Sequence, residues 1–428
     1  MSRITENPRG NCALGGVNAV LSAVNRVVPI YHTGPGCCMQ TSAGEAGQAG
    51  GRSPFYVSSV STPCTNMLER EVVFGGVNSL RDTIQGAIEI FEADAFFVLT
   101  GCTSGIIGDD VKSVTDEFSG GDALVIPVDC PGFLGESYRG YEIAFKTFLD
   151  HLVKPAPKKP KLVNLFGIMP YHDPFWEGNF EELTRILAKL GLEVNTFFTQ
   201  HQGIEAIRKS SSAALNIVVS PWLLKSASDE YWERFAIPTL RWPSLPIGAT
   251  DTTAFVRAVG RTLYLDEALV ERVVAEEEDY VYSYLETAIG ALSWKRFAVV
   301  GDANTVVGIT RFLANDYSFT PILSVITDPV FRDEDRARIT HALTRLEHAR
   351  PPKVLFETDD FRIRQALEEE GDKITLLVGS TYEREFAMAR GIQCAAIAYP
   401  VTDRLIFNRT YAGYRGCLTL VEDLYDNL

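Results

Sequence analysis

Short apolar runs that close in glycine-, proline- or cysteine-bearing turns recur along the whole chain, with helical patterns between them. A run of five or six apolar residues is what a strand buried on both faces requires, and strands alternating with helices pair in parallel through crossovers. Val27 to Tyr31 is the first such run, ending in the turn Thr33-Gly34-Pro35-Gly36. Ala95 to Thr100 leads into Gly101-Cys102, and Ala123 to Val128 leads into Asp129-Cys130-Pro131-Gly132. Between them, Leu80, Ile84, Ala87, Ile88 and Phe91 are spaced for one face of a helix over 78–91.

The pattern breaks at Lys154-Pro155-Ala156-Pro157-Lys158-Lys159-Pro160, a basic, proline-rich stretch that reads as a linker. It restarts with strands at Leu162–Gly167 and Leu192–Phe197 around an amphipathic helix over 180–190 that Gly191 caps. A third start comes at Phe297–Asp302, with a helix over 304–313 and strands at 320–326, 353–356, 375–379 and 395–399. A chain of 428 residues suits two to four domains at roughly 100–200 residues each. The expected architecture is α/β: three doubly wound parallel-sheet, Rossmann-like domains over 1–153, 161–290 and 295–428. The C-terminal segment is expected to pack back on the first domain.

A net charge of −15 repels phosphate backbones, so nucleic acid is not an expected partner. No segment reaches the ~18 apolar residues of a membrane span, and the N-terminus has no apolar signal core. A cytoplasmic location is expected, and in a reducing compartment the eight cysteines are not read as disulfides. Cys12, Cys37, Cys38, Cys64, Cys102 and Cys130 crowd the first third, while Cys394 and Cys417 stand apart and read as plain core or surface residues. Cys37, Cys102 and Cys130 closely follow strand ends, the rim where open α/β sheets bind ligands. Iron–sulfur clusters need thiolates held on rigid turns, and a flanking glycine lets backbone N–H groups approach cluster sulfurs. Gly36 before Cys37 and Gly101 before Cys102 meet that need, as does Gly10 ahead of Cys12. There is no Cys-x-x-Cys, so a self-contained local cluster is not expected. Buried small residues beside turns would give the same pattern, and both readings stand on the residues alone.

Asn11-Cys12-Ala13, His32-Thr33-Gly34-Pro35-Gly36-Cys37, Glu69 to Gly76, Gly101 to Asp110 and Val128 to Phe133 resemble, in order and spacing, the nitrogenase component 1 superfamily. That resemblance implies that Cys12, Cys37 and Cys102 are ligands to a P-cluster-like group, [8Fe–7S] or [4Fe–4S], shared with a homologous α-type subunit. Gly75-Gly76 and Gly108-Asp109-Asp110 match turn and packing elements near it. It also implies an α2β2 heterotetramer served by a homodimeric, ATP-dependent [4Fe–4S] reductase. A larger iron–sulfur cofactor is expected in the partner. The family's α-type chain ligates that cofactor through a cysteine in its second domain and a histidine in its third. Here no cysteine lies between Cys130 and Cys394, the matching loop Val218 to Leu223 offers Ser220, and His341 and His348 lie on a basic stretch read as solvated. The chain is thus similar to the β-type subunit, and no catalytic residue is expected in it.

Cys130-Pro131-Gly132 is more similar to α-type or scaffold chains, and Gly132 stands where the molybdenum β subunit has a serine ligand. The resemblance therefore points to a nitrogenase-like reductase, with a methylthio-alkane reductase β-type subunit as the preferred member. A cofactor-assembly scaffold subunit, a molybdenum or alternative nitrogenase subunit and a chlorophyll-precursor reductase subunit are the other readings. No Gly-x-x-x-x-Gly-Lys-[Ser/Thr] loop is present, so ATP hydrolysis is assigned to the partner reductase. The glycine-rich stretch Gly44 to Gly51 reads as a surface loop.

Overall fold

The computed structural model describes residues 5–50, 62–121, 123–199, 202–288 and 294–426. Twelve strands among them form three parallel sheets. The first sheet runs β1 (Val27–His32), β2 (Ala95–Thr100), β3 (Val125–Asp129) in that order. The second contains β4 (Lys159–Phe166), β5 (Glu193–Asn195), β6 (Ala213–Val219) and β7 (Thr239–Trp242), ordered β5-β4-β6-β7. The third contains β8 (Arg296–Gly301), β9 (Thr320–Ile326), β10 (Lys353–Phe356), β11 (Leu376–Gly379) and β12 (Gln393–Ala396), ordered β10-β9-β8-β11-β12. The central strand β2, Ala-Phe-Phe-Val-Leu-Thr, is buried at every position, which is why its sequence does not alternate.

Three expectations need correction. The strand after the linker begins at Lys159, so the proline-rich stretch runs into β4; Lys159 pairs with Ala213 and regular pairing resumes only at Val163. Pro160 has no N–H to donate, and a register shift absorbs the gap. The last strand ends at Ala396 instead of continuing to Tyr399, and Cys394 lies within it, paired with Leu377. The stretch read as a surface loop is helical as far as Gly47, in α2 (Pro35–Gly47). Gly50, at φ +81°, sits against Ile406, which fills the space a Cβ would take; Gly51 lies outside the described residues.

The segment after β12 divides its contacts. Val401 and Ile406 hydrogen-bond to the backbone of residues 48–50, and the helix Gly413–Asp426 packs on the helices Trp176–Lys189 and Gly248–Thr262.

Helix α1 (Ala13–Ser22) lies on helix α7 (Ser137–His151) at glycine distance. A Cβ on Gly16 would meet Ser137 O at 1.9 Å, and one on Gly140 would meet Ala13 O at 2.2 Å. That approach holds the start of α1 beside the loop after β3.

The rims of the three sheets meet at Asp328, just beyond β9. Tyr138 Oη of α7 donates to its Oδ1 at 2.7 Å, and Trp222 Nε1 and the Ala303 N–H donate to Oδ2 at 2.8 and 3.0 Å. Burial, and then the charge of Asp302, pushes the Asp328 carboxyl up to about 7. The same two causes raise Asp173 to about 7. These acids bind protons in the folded chain at a pH where the unfolded chain has released them. Their contribution is full below the unfolded value of 3.8 and is lost as pH rises through about 7. We expect Asp328→Asn to flatten the pH dependence of unfolding between about pH 5 and about pH 8 by about 2–4 kcal/mol. Denaturant melts at the two pH values measure it; equal slopes in both chains would refute it.

Candidate functional site

Cys12 is the N-cap of α1, fixed by Ala13 N–H to Gly135 O at 2.7 Å and Ser137 N–H to Asn11 O at 2.9 Å. Cys102 opens the short helix α5 (Cys102–Ile107) directly after β2. Both thiols are half-buried and free. They converge on Gly132, where a Cβ would lie 2.8 Å from Cys12 Sγ and 3.1 Å from Cys102 Sγ. Any side chain at 132 would displace one of the sulfurs.

Cys130 lies beneath this pair, fully buried, with Sγ 3.7 Å from Thr100 O. Burial first, then Asp129 and Cys12, pushes its thiol well above the ordinary range.

Cys37 sits in the first turn of α2 and is exposed. Strands β1 and β3 pair on either side of β2, with His32 and Asp129 both level with Thr100, so Cys37, Cys102 and Cys130 follow adjacent strand ends of one rim. The structure brings Cys12 and Cys102 together, but Cys37 does not close a three-residue site with them: among the described residues no three His, Cys, Asp or Glu side chains are placed to hold one metal ion. Two converging sulfurs and a third exposed on the same rim suit a polynuclear group completed by a second chain. Cys12 is the N-cap of a helix of 10 residues and Cys37 lies in the first turn of one of 13.

The two glycines expected to approach a cluster differ in their surroundings. The space beside Gly101 is taken by Thr33, whose Oγ1 would lie 2.4 Å from a Cβ there. Gly36 faces open space, with nothing within 4 Å of a Cβ.

The surface beside the Cys102 helix carries large exposed apolar groups. Helix α3 (Glu69–Phe74) packs beside α5, and its Val73 and Phe74 are 71% and 83% exposed. Ile106 and Phe133 are 75% and 61% exposed. A run of large exposed apolar groups of this kind marks an interaction surface.

Asp109 ties the quoted motifs together. Its Oδ2 lies 2.9 Å from His32 Nε2 and accepts from Gly76 N–H at 3.0 Å, while His32 Nδ1 lies 3.2 Å from Thr65 Oγ1. His32 is fully buried, and burial lowers its pKa against the opposing pull of Asp109. The residues were visible in the sequence; their mutual contact across the fold was not. Cys64 was also unassigned. It lies beside β1, and its thiol, hydrogen-bonded to Cys38, is lowered to about 7.

Ser220 is fully buried just past β6, and its Oγ accepts from Leu223 N–H at 3.2 Å, so the hydroxyl closes its own turn. His341 and His348 are exposed, His341 on the helix Asp333–Thr344 and His348 in the segment beyond it. Behind Cys12 a cleft of about 400 Å³ opens between Arg9, Tyr138, His172, Arg336 and Glu357.

No helix among the described residues is long and apolar enough to cross a membrane. Over 96% of its length the chain is 24% identical to the nitrogenase vanadium-iron protein beta chain of Trichormus variabilis, covering 91% of that protein. It is 26% identical to the nitrogenase iron-molybdenum cofactor biosynthesis protein NifE of Methanococcus maripaludis, over 61% of this chain and 53% of that protein. In three dimensions it superposes on the structure described as "Nitrogenase Cp1 at pH 6.5" with a TM-score of 0.80 at 19% identity, over all of this chain and 94% of the other. The family model for nitrogenase component 1 type oxidoreductase matches residues 12–428, and with that span the chain belongs to this family.

Proposed function

We propose that this chain is the β-type subunit of a nitrogenase-like reductase, in which Cys12, Cys37 and Cys102 ligate one half of an iron–sulfur group shared with a homologous α-type subunit. The observation that carries the proposal is the convergence of the Cys12 and Cys102 sulfurs on the empty side of Gly132, at a rim flanked by exposed apolar residues. An iron–sulfur group held there stores and passes single electrons. The chain's own residues hold three cysteines at helix starts, leave Gly132 bare between two of them, and bury Cys130 below. Phe74, Val73, Ile106 and Phe133 are the surface on which the α-type subunit closes and excludes water.

The β-type assignment is supported by a vanadium-iron beta chain that matches 96% of this chain, against 61% for NifE. It is also supported by Ser220, which spends its hydroxyl on a turn where a ligating thiol would be needed. Electrons are supplied by a separate homodimeric ATPase carrying a [4Fe–4S] cluster and pass on to a larger iron–sulfur cofactor in the α-type subunit. Methylthio-alkanes are the proposed substrates, by reductive cleavage of a C–S bond.

The test is anaerobic co-purification with the α-type partner, followed by metal analysis and assay with the ATPase donor. High iron with ATP-dependent release of methanethiol supports the reading. Iron with reduction of dinitrogen alone replaces the substrate. Iron without turnover, together with transfer of a cofactor to an apo-enzyme, replaces reductase by assembly scaffold.

A further inference from the structure

Cys102 is held from two sides by one residue of the neighbouring strand. His32 ends β1, and its carbonyl accepts from Gly101 N–H at 3.1 Å and from Ser104 Oγ–H at 2.6 Å, on either side of Cys102. Its imidazole, fully buried, reaches the far end of the same helix: Nε2 lies 2.9 Å from Oδ2 of Asp109, two residues past α5. An ionised carboxylate only accepts, so Nε2–H donates in that contact. Asp109 in turn accepts from Gly76 N–H, at 3.0 Å through Oδ2 and 3.2 Å through Oδ1. A Cβ on Gly76 would lie 2.9 Å from both Asp109 Oδ2 and His32 Cε1, so the backbone there is pressed onto the pair. A helix of six residues does not hold its own position, and these contacts set where α5 lies.

We propose that the buried His32–Asp109 pair is the positioning element for Cys102: it fixes the lie of α5 and thereby the direction in which the Cys102 sulfur meets an iron. The inference rests on the reading of Cys102 as an iron ligand. Neither side chain has to touch the metal group. His32 O fixes the helix start, which carries the thiol, and Asp109 fixes its end, so the thiol arrives beside Gly132 in one orientation. A ligand held in place by its surroundings spares the site the cost of ordering it. Without Asp109 the helix end is freed, and the sulfur spends part of its time away from the iron. Metal sites lose about 10–100-fold in affinity when such supporting partners are removed.

The complex with the α-type chain is purified anaerobically with wild-type, Asp109→Ala, Asp109→Asn and Asp110→Ala forms of this chain. Iron release to a chelator is timed on each, and the Mössbauer spectrum reads the ligand geometry at each iron. Asp109→Ala should release iron at least about 10-fold faster than wild type and broaden or split a quadrupole doublet. Asp109→Asn keeps an acceptor oxygen and should fall between the two. Asp110→Ala removes the cap of the helix Val111–Asp116, where Asp110 Oδ1 accepts from Ser113 N–H at 3.0 Å, and should match wild type in both readouts. If Asp109→Ala does not fold, the Asp109→Asn complex decides, and wild-type release with a wild-type spectrum overturns the proposal. Unchanged release and spectrum in Asp109→Ala, or an equal change in Asp110→Ala, overturns the positioning role while the iron remains. A wild-type complex without iron overturns the ligand reading first, and the positioning role with it.

Discussion

Arg9→Met lowers the unfolding free energy by about 3–5 kcal/mol, the cost of stranding buried carboxylates. Arg9 is almost wholly buried and donates through Nη1 to Ser380 Oγ at 3.0 Å and through Nη2 to Asp360 Oδ1 at 3.1 Å. Both nitrogens also reach the Glu383 carboxylate. Burial works against the guanidinium charge, but Glu383 and Asp360 more than offset it and raise its pKa. Ser380 and Glu383 follow β11, and Asp360 opens the helix Asp360–Glu370, so one side chain joins the N-terminal segment to two elements of the third sheet. Methionine matches the length of the arginine stem but takes the cation from the Glu383 carboxylate and leaves Asp360 with the half-exposed Arg364 alone. Equilibrium denaturation measures the loss. Adding Glu383→Gln and Asp360→Asn should recover most of it, because the penalty belongs to uncompensated charge more than to lost attraction. A change below about 1 kcal/mol would mean that water reaches the acids and pairs them instead. Arg9 is three residues ahead of Cys12, so the same variant should also bind iron less firmly.

The second large effect is on metal and not on folding. Cys102→Ala should reduce iron affinity by about 10–100-fold or more, since even outer-sphere partners of a metal site contribute that much. Cys102 is half-buried at the first position of a six-residue helix, so the fold itself should lose less than about 1 kcal/mol. Cys130→Ala should do the opposite. Its thiol is fully buried and held protonated, so removal leaves a void worth about 1–2 kcal/mol and the iron stays. Iron per chain after anaerobic gel filtration, with a denaturation curve for each variant, separates the two. If Cys130→Ala loses the iron and Cys102→Ala keeps it, the ligand set is wrong.

Much of the secondary structure was legible in local sequence, and the reason is burial. The central strand β2 stands out because it is covered on both faces, and a parallel strand so covered needs apolar residues throughout. The edges were less legible. Ala123 and Leu124 look like strand but precede β3, and Gln393 and Cys394 do not look like strand but form half of β12. At an edge the partner strand decides pairing, and no local pattern reports it.

Cysteines placed just after apolar runs also announced a rim, since side chains at strand ends of a parallel sheet face a common crevice. What sequence by itself determined, then, is a chain of parallel α/β units with thiols at the strand ends of the first. Tertiary structure alone decided which thiols meet. Cys12 reaches Cys102 because α1 and α7 touch through Gly16 and Gly140, and because Gly132 keeps the space between the sulfurs clear. Cys130, with the same strand-end placement, is instead sealed below them. The Asp109 contacts to His32 and Gly76 and the Arg9 staple are of the same kind. Each joins residues far apart in the chain, and local propensity carries no information about which packed surfaces will bring distant residues within a few ångströms.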